Sequence, residues 1–223
     1  LHAGISEDEG KTWRGYREVV RDPKRDEPPP PGGDHGTAYP FPALGRDGQV
    51  LFTTGQGEGR VLVMRLDPAW LYETTHSDNF SNGLDEWSVF GTRGVGLVAH
   101  PSSDSRKVLS IKKTASRWPA AAVWNFPNGR EGTMKLRFLR RAGFEGARIM
   151  LSDHYSTPFD DQDRYFSLFN FEIPAGGRIS SSHTLGPDRW YDIEIAWNVT
   201  GREARVLVDG ELAVTLPLRK ESH

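Results

Sequence analysis

The chain has 223 residues, 36% of them hydrophobic, with 28 basic against 30 acidic side chains and no cysteine. That length makes one large domain or two small ones, and the apolar share supplies a real core, which excludes wholesale disorder. A net charge of −2 argues against nucleic-acid and anionic-membrane surfaces, which need clustered positive charge. Without cysteine there are no disulfides and no thiolate metal sites.

The sequence opens Leu1-His2-Ala3-Gly4-Ile5, with no initiator Met, basic n-region or apolar h-region. No targeting signal is visible, and the start reads as the interior of a longer protein. The longest apolar run, Trp118–Trp124, is far below the roughly 20 residues of a membrane-spanning helix, so no membrane insertion is expected.

Periodicity predicts strands nearly throughout. Val50–Thr54, Arg60–Leu66, Val108–Ile111, Thr133–Leu139, Tyr165–Phe171, Tyr191–Trp197 and Arg205–Val208 are short and rich in β-branched or aromatic residues. Asp47-Gly48 and Asp209-Gly210 carry the signal of two-residue hairpin turns. One helical turn is expected at Asp67–Tyr72, with Asp67 as its cap and Pro68 at its first position. Asp22–Gly33, with four consecutive prolines, reads as an extended surface loop. The polar stretch Glu73–Asn79 separates two strand-rich regions, which predicts domains over 1–74 and 75–223. The fold class is all-β.

Near the N-terminus, Ser6-Glu7-Asp8-Glu9-Gly10-Lys11-Thr12-Trp13 reads Ser-x-Asp-x-Gly-x-Thr-Trp. In such a turn Ser6 and Asp8 hydrogen-bond their own backbone, Gly10 supplies a positive φ, and Trp13 is expected to bury its ring under the hairpin. The motif resembles the Asp-box of sialidase-like β-propellers at every defining position. By that resemblance Ser6, Asp8, Gly10, Thr12 and Trp13 are structural and lie away from the active site. Further on, Gly36-Thr37-Ala38-Tyr39-Pro40-Phe41-Pro42, followed by Asp47-Gly48 and the strand Val50–Thr54, resembles the last blade of such a propeller. Tyr39 then matches the catalytic nucleophile, a neutral phenol that attacks a sugar bearing its own carboxylate; the alternative is a tyrosine that packs without chemistry. Asp34 and His35 are candidates to line the same mouth. The family's substrate-binding arginines and acid/base carboxylates have no match here and are expected in upstream blades. A closed propeller needs at least four four-stranded blades, so this segment alone is expected to be inactive.

In the second region, Asp78–Val89 (DNFSNGLDEWSV), Asp188–Trp197 (DRWYDIEIAW) and Arg205–Glu211 (RVLVDGE) resemble a concanavalin A-like, laminin-G-like jelly-roll sandwich, truncated at its C-terminus. That fold binds sugars, proteins or nothing. Trp118, Trp124, Tyr155 and Phe159 are candidates to stack on a sugar ring, against the alternative that they are core. No cofactor is expected beyond calcium, for which Asp153, Asp160, Asp161 and Asp163 offer hard oxygens without the ordered spacing of a calcium loop. The sequons at Asn79 and Asn198 read as incidental. Together the resemblances imply a piece of a secreted or periplasmic carbohydrate-active protein, a sialidase-like glycoside hydrolase with a lectin-like sandwich and a glycan as partner. The alternatives are a non-catalytic glycan-binding or adhesion protein, and a polysaccharide lyase on the same propeller.

Overall fold

The computed structural model describes residues 1–19, 39–54, 63–89, 93–116, 119–153 and 163–221. The chain is all-β: fifteen strands are joined by one 3-10 turn and one turn of α-helix among the described residues. The Pro-rich stretch Asp22–Gly33, together with Asp34 and His35, lies outside them. Contacts divide the described residues into two compact units, one up to Asn128 and the other from Gly129 onward.

The first unit holds small antiparallel sheets. Strands β1 (His2–Ile5) and β2 (Arg14–Glu18) pair with a bulge between Ala3 and Ile5. Strands β3 (Phe41–Leu44), β4 (Val50–Thr53) and β5 (Met64–Leu66) form a three-stranded sheet. The predicted helical turn is present as a 3-10 turn over Pro68–Tyr72, and Asp67 caps it by accepting the Ala69 amide at 2.9 Å. Arg17 on β2 is buried beneath that turn. Its guanidinium lies 3.9 Å from the Trp70 ring centroid and donates to the Trp70 carbonyl at 2.6 Å, with the Glu73 carboxylate 3.5 Å away. A desolvated cation is tolerable there because the π face, the carbonyl and the carboxylate share its charge. Two two-stranded ribbons complete the unit: β6 (Trp87–Ser88) with β9 (Val123–Trp124), and β7 (Val95–His100) with β8 (Ser103–Ile111).

The second unit contains β10 (Glu131–Leu139), β11 (Gly146–Leu151), the helical turn α1 (Asp163–Phe166), β12 (Phe169–Pro174), β13 (Trp190–Asn198), β14 (Glu203–Val208) and β15 (Glu211–Pro217). Its main sheet runs β10-β13-β14-β15, and β11 pairs with β12. Strict alternation buries Phe169, Phe171 and Ile173 of β12, Tyr191, Ile193 and Ile195 of β13, and Ala204, Val206 and Val208 of β14. Beyond its own sheet, β12 contacts β14 and β15, so these faces close on a shared apolar core. The outward positions carry cross-strand ion pairs, Lys135 with Glu194 at 3.0 Å and Arg137 with Asp192 at 3.3 Å. Such exposed pairs contribute little stability but keep the face wet.

Three expectations change. Tyr165–Phe171 is not one strand: Asp163–Phe166 turns as a helix, and pairing begins at Phe169. Tyr165 and Phe166 are exposed, whereas Ser167, Leu168 and Phe169 are buried, so the chain changes conformation where it enters the core. Asp78–Val89 is mostly turn, with only Trp87–Ser88 in a strand. The side chains of Asp78 and Asn79 accept the amides of Phe80 and Ser81, consuming backbone donors that a strand would need. The Asp209-Gly210 turn has two residues with φ of 50° and 86° and joins β14 to β15 as expected. Asp47-Gly48 instead sits in a three-residue loop closed by Gly45 N–H to Gln49 carbonyl at 2.7 Å. That is the type I turn plus left-handed glycine of a bulged hairpin.

On the edge strand β10, Gly132 faces Trp197 of β13. A Cβ at Gly132 would lie 2.3 Å from Trp197 Cζ2, and the indole is fixed by donating to the Gly129 carbonyl at 3.1 Å. Gly132→Ala must displace the ring and break that bond, so chemical denaturation is expected to show a loss of about 1–3 kcal/mol. Gly176→Ala, where an added Cβ meets nothing within 4 Å, is expected to be neutral or stabilising by up to about 1 kcal/mol.

Candidate functional site

The turn over residues 6–13 joins β1 to β2, and its Ser6, Asp8 and Thr12 side chains each have a defined job. Ser6 Oγ accepts the Gly10 amide at 2.7 Å and donates to Asp8 Oδ1 at 3.0 Å. Asp8 Oδ1 also accepts the Thr12 amide at 2.8 Å, while Oδ2 takes the Thr12 hydroxyl at 2.6 Å. Glu9 and Gly10 both have positive φ, which lets consecutive amides point inward at these acceptors. The hydroxyl and amide of Thr12, then Ser6 and the Lys11 amide, hold the Asp8 carboxyl below its ordinary value. With both oxygens engaged, Asp8 is built to shape the turn, not to donate a proton.

Trp13 departs from expectation. Its ring is not buried under the hairpin: it is 63% exposed, lies beside Gly4 and is pinned by Nε1–H donating to the Gly10 carbonyl at 3.2 Å. The indole nitrogen satisfies the turn, which leaves the apolar ring in water. The sequence pattern also gives no hint of Glu7, a variable position of the motif. Its carboxylate accepts from Arg14 and from the Tyr72 hydroxyl at 2.8 Å, and the Arg14 guanidinium lies 4.9 Å from the Tyr72 ring centroid. These contacts fasten the turn to the 3-10 segment.

Tyr39 stands just before β3, 69% exposed and with φ of 54°. An aromatic residue in the left-handed region is a genuine outlier, and such strain concentrates at functional positions. His35 lies outside the described residues, as do Trp118, Tyr155, Phe159, Asp160 and Asp161. Asp163 is described only as backbone at the start of α1. Asp153 is nearly buried and forms an ion pair with Lys220 at 3.3 Å, so its charge is already balanced within the protein. Among the described residues no three His, Asp or Glu side chains converge to hold a metal, and no helix is long and apolar enough to cross a membrane.

Trp124 has a different setting from an open sugar platform. Its ring stacks on Trp87, centroids 5.5 Å apart and 8° from parallel, and on His76 at 4.9 Å, with Phe126 tilted against it at 5.9 Å. The faces on which a sugar would stack are occupied by protein rings, which favours the packing alternative for Trp124. The neighbouring segment forms a hollow of about 270 Å³, lined by Ser77, Asp78, Asn79, Ser81, Asp85 and Glu86 among others. Asp78 also accepts the Trp87 indole N–H at 2.7 Å, and Glu86 pairs with His76 at 2.9 Å. Carboxylates, hydroxyls and amides thus gather around one polar depression beside the aromatic stack. None of His76, Trp87 or Glu86 stood out as a site residue in the sequence, because only the β6–β9 pairing brings Trp87 opposite Trp124.

No protein-family model matches the chain, and no curated protein matches it.

Two measurements test these assignments. Because the folded-state value of Asp8 is depressed, its stabilisation is fully present above the ordinary carboxylate range and is lost as pH falls through the depressed value. Thermal melts of wild type and Asp8→Asn are expected to differ at neutral pH and to converge in acid; a constant offset would disprove the linkage. Trp124→Ala is expected to destabilise the chain by about 1–3 kcal/mol, less than the loss of a fully buried tryptophan because the ring is half-buried. A well-folded Trp124→Ala protein with an unchanged denaturation midpoint would return the indole to the surface reading.

Proposed function

We propose that the chain is part of a secreted or periplasmic carbohydrate-active protein of sialidase type. In this reading the first region is the end of an Asp-box β-propeller, the later region a concanavalin-like sandwich, and Tyr39 the nucleophile toward an acidic or complex glycan. The observation that carries it is the backbone of Tyr39, an exposed aromatic residue with φ of 54° directly before a proline. The fold holds this residue in a conformation that its side chain disfavours while leaving it open to water. The Asp-box supports the assignment, since its Ser6, Asp8 and Thr12 bonds make the compact hairpin turn that the resemblance implies.

The chemistry is an attack by the Tyr39 oxygen on the anomeric carbon as the glycosidic C–O bond breaks. The phenolic proton passes to a base, and the leaving oxygen is protonated by an acid. A phenol suits a substrate that carries its own carboxylate, because a carboxylate nucleophile would be repelled. The acid, the base and the arginines that grip the substrate belong, on this reading, to other blades of the propeller. Tyr39→Phe in the whole protein removes one hydroxyl and keeps the ring. Turnover of a sialoside is expected to fall by orders of magnitude with the melting temperature nearly unchanged; full turnover would strip Tyr39 of the role.

A second reading, a non-catalytic glycan binder, is favoured by the polar hollow of residues 77–86. Its hydroxyls, amides and carboxylates suit a polyol better than an apolar ligand. Titrating the chain with neutral and acidic oligosaccharides while following backbone amide signals tests it. Shifts clustered at residues 77–86 are the expected result, and their absence there would remove the hollow from consideration.

A further inference from the structure

We infer that Asn82 is a site of spontaneous covalent modification, at which the side-chain amide becomes a carboxylate through attack by the backbone nitrogen of Gly83. The chain has six asparagines: Asn79, Asn125 and Asn170 precede Phe, Asn198 precedes Val, and only Asn82 and Asn128 precede Gly. A bulky following side chain blocks the approach of the next nitrogen to the asparagine Cγ, and glycine removes that block. The other four amides are also engaged. Asn79 accepts the Ser81 amide, Asn125 donates to Glu18, Asn170 donates to Glu172, and Asn198 accepts the Gly201 amide.

The two Asn-Gly steps differ in how firmly they are held. Asn82 and Asn128 are both exposed, and neither side chain has a hydrogen-bond partner among the described residues; the difference lies in the backbone around each step. Around Gly83, with φ of 82°, the space is open: an added Cβ would meet only Asp85 Oδ1, 4.0 Å away. The Gly83 N–H donates to the Phe80 carbonyl at 3.3 Å, a bond inside the same short turn that ties the step to no other element. Asn128-Gly129 is tethered on both sides of the step. The Asn128 amide donates to the Tyr16 carbonyl at 3.3 Å, the Gly129 carbonyl receives the Trp197 indole at 3.1 Å, and a Gly129 Cβ position lies 3.2 Å from the Glu131 carbonyl. Bonds to distant elements on both flanks oppose the rotation that brings nitrogen onto Cγ, so Asn82 reacts first.

The step balances without an oxidant. Gly83 N forms a bond to Asn82 Cγ, the Cγ–Nδ2 bond breaks, and nitrogen leaves as ammonia after taking up the displaced proton. Solvent water then opens the five-membered imide at either carbonyl, giving aspartate or isoaspartate. Position 82 lines the hollow with Asp78, Asp85 and Glu86, so the product adds another carboxylate there and, as isoaspartate, one methylene to the backbone. The polar depression becomes more anionic with the age of the molecule. This inference rests on the turn alone and stands whether or not the hollow binds a glycan.

The test is to incubate the purified chain at mildly alkaline pH, withdraw samples, digest them, and read each Asn-Gly peptide by mass spectrometry. Hydroxylamine, which cleaves the cyclic imide, gives an independent mark at the Asn82–Gly83 bond. In the folded chain, conversion at Asn82 is expected to run severalfold ahead of Asn128, with hydroxylamine cleavage at 82 that Asn82→Gln abolishes. In denaturant the two rates should converge, because only the fold separates them. Equal rates in the folded chain, or conversion of Asn128 first, would overturn the proposal.

Discussion

The constraint on which the second unit depends is the register of β13. This strand is hydrogen-bonded to β10 on one side and β14 on the other, with Ile193 opposite both Leu136 and Val208. Because side chains alternate with a period of two, a slip of one residue on either side would turn Tyr191, Ile193 and Ile195 into water and bring Asp192 and Glu194 into the core. Burying two unpaired carboxylates is far more costly than any single outward ion pair is worth. The Asp209-Gly210 turn reinforces the same choice, since Asp209 accepts the Asp192 amide and binds Arg189 at 2.5 Å. Turn, alternation and charge all select one pairing, which is the agreement between levels that marks a foldable sequence.

The first unit relies on side chains more than on alternation. Apart from the β7–β8 ribbon its strands are short, and β3 leaves all four residues exposed. What fixes the N-terminal hairpin is polar: the Asp8 and Ser6 acceptors within the turn, Glu7 reaching Tyr72, and Arg17 clamped against Trp70. These are local bonds whose worth depends on charge and geometry, so the hairpin is more sensitive to acid than an apolar core would be.

The sequence was most legible where one residue dictates one local geometry. Asp67-Pro68 gave the capped turn, and Asp209-Gly210 gave the two-residue hairpin. Asp47-Gly48 carries the same dipeptide but a different loop, because the Gly45–Gln49 bond closes the hairpin one residue further out. Where alternation is shared by helix entry and strand, as in Tyr165–Phe171, the break at Ser167 could not be seen from pattern alone: burial, not propensity, decides it. The Ser6, Asp8 and Gly10 roles were readable because each acts on its own turn. The His76–Trp124–Trp87 stack was not, since it depends on segments brought together by the pairing of two two-residue strands. Tyr39 could be singled out as a residue, but its left-handed backbone is a property of the folded chain.

The near-parallel Trp87–Trp124 pair, 5.5 Å between centroids, has an optical consequence. Two indoles this close and this well aligned couple their electronic transitions, so their circular dichroism differs from that of two separate tryptophans. Trp190 and Trp197 of the second unit lie on a single strand, separated in sequence by the whole of its central run, and Arg137 lies 5.3 Å from the Trp190 ring centroid. The near-parallel pair lies on the β6–β9 ribbon and contributes its coupled signal from there. The molecule carries within the first unit a chromophore that reports whether two very short strands have met, with no label attached and no change to the chain.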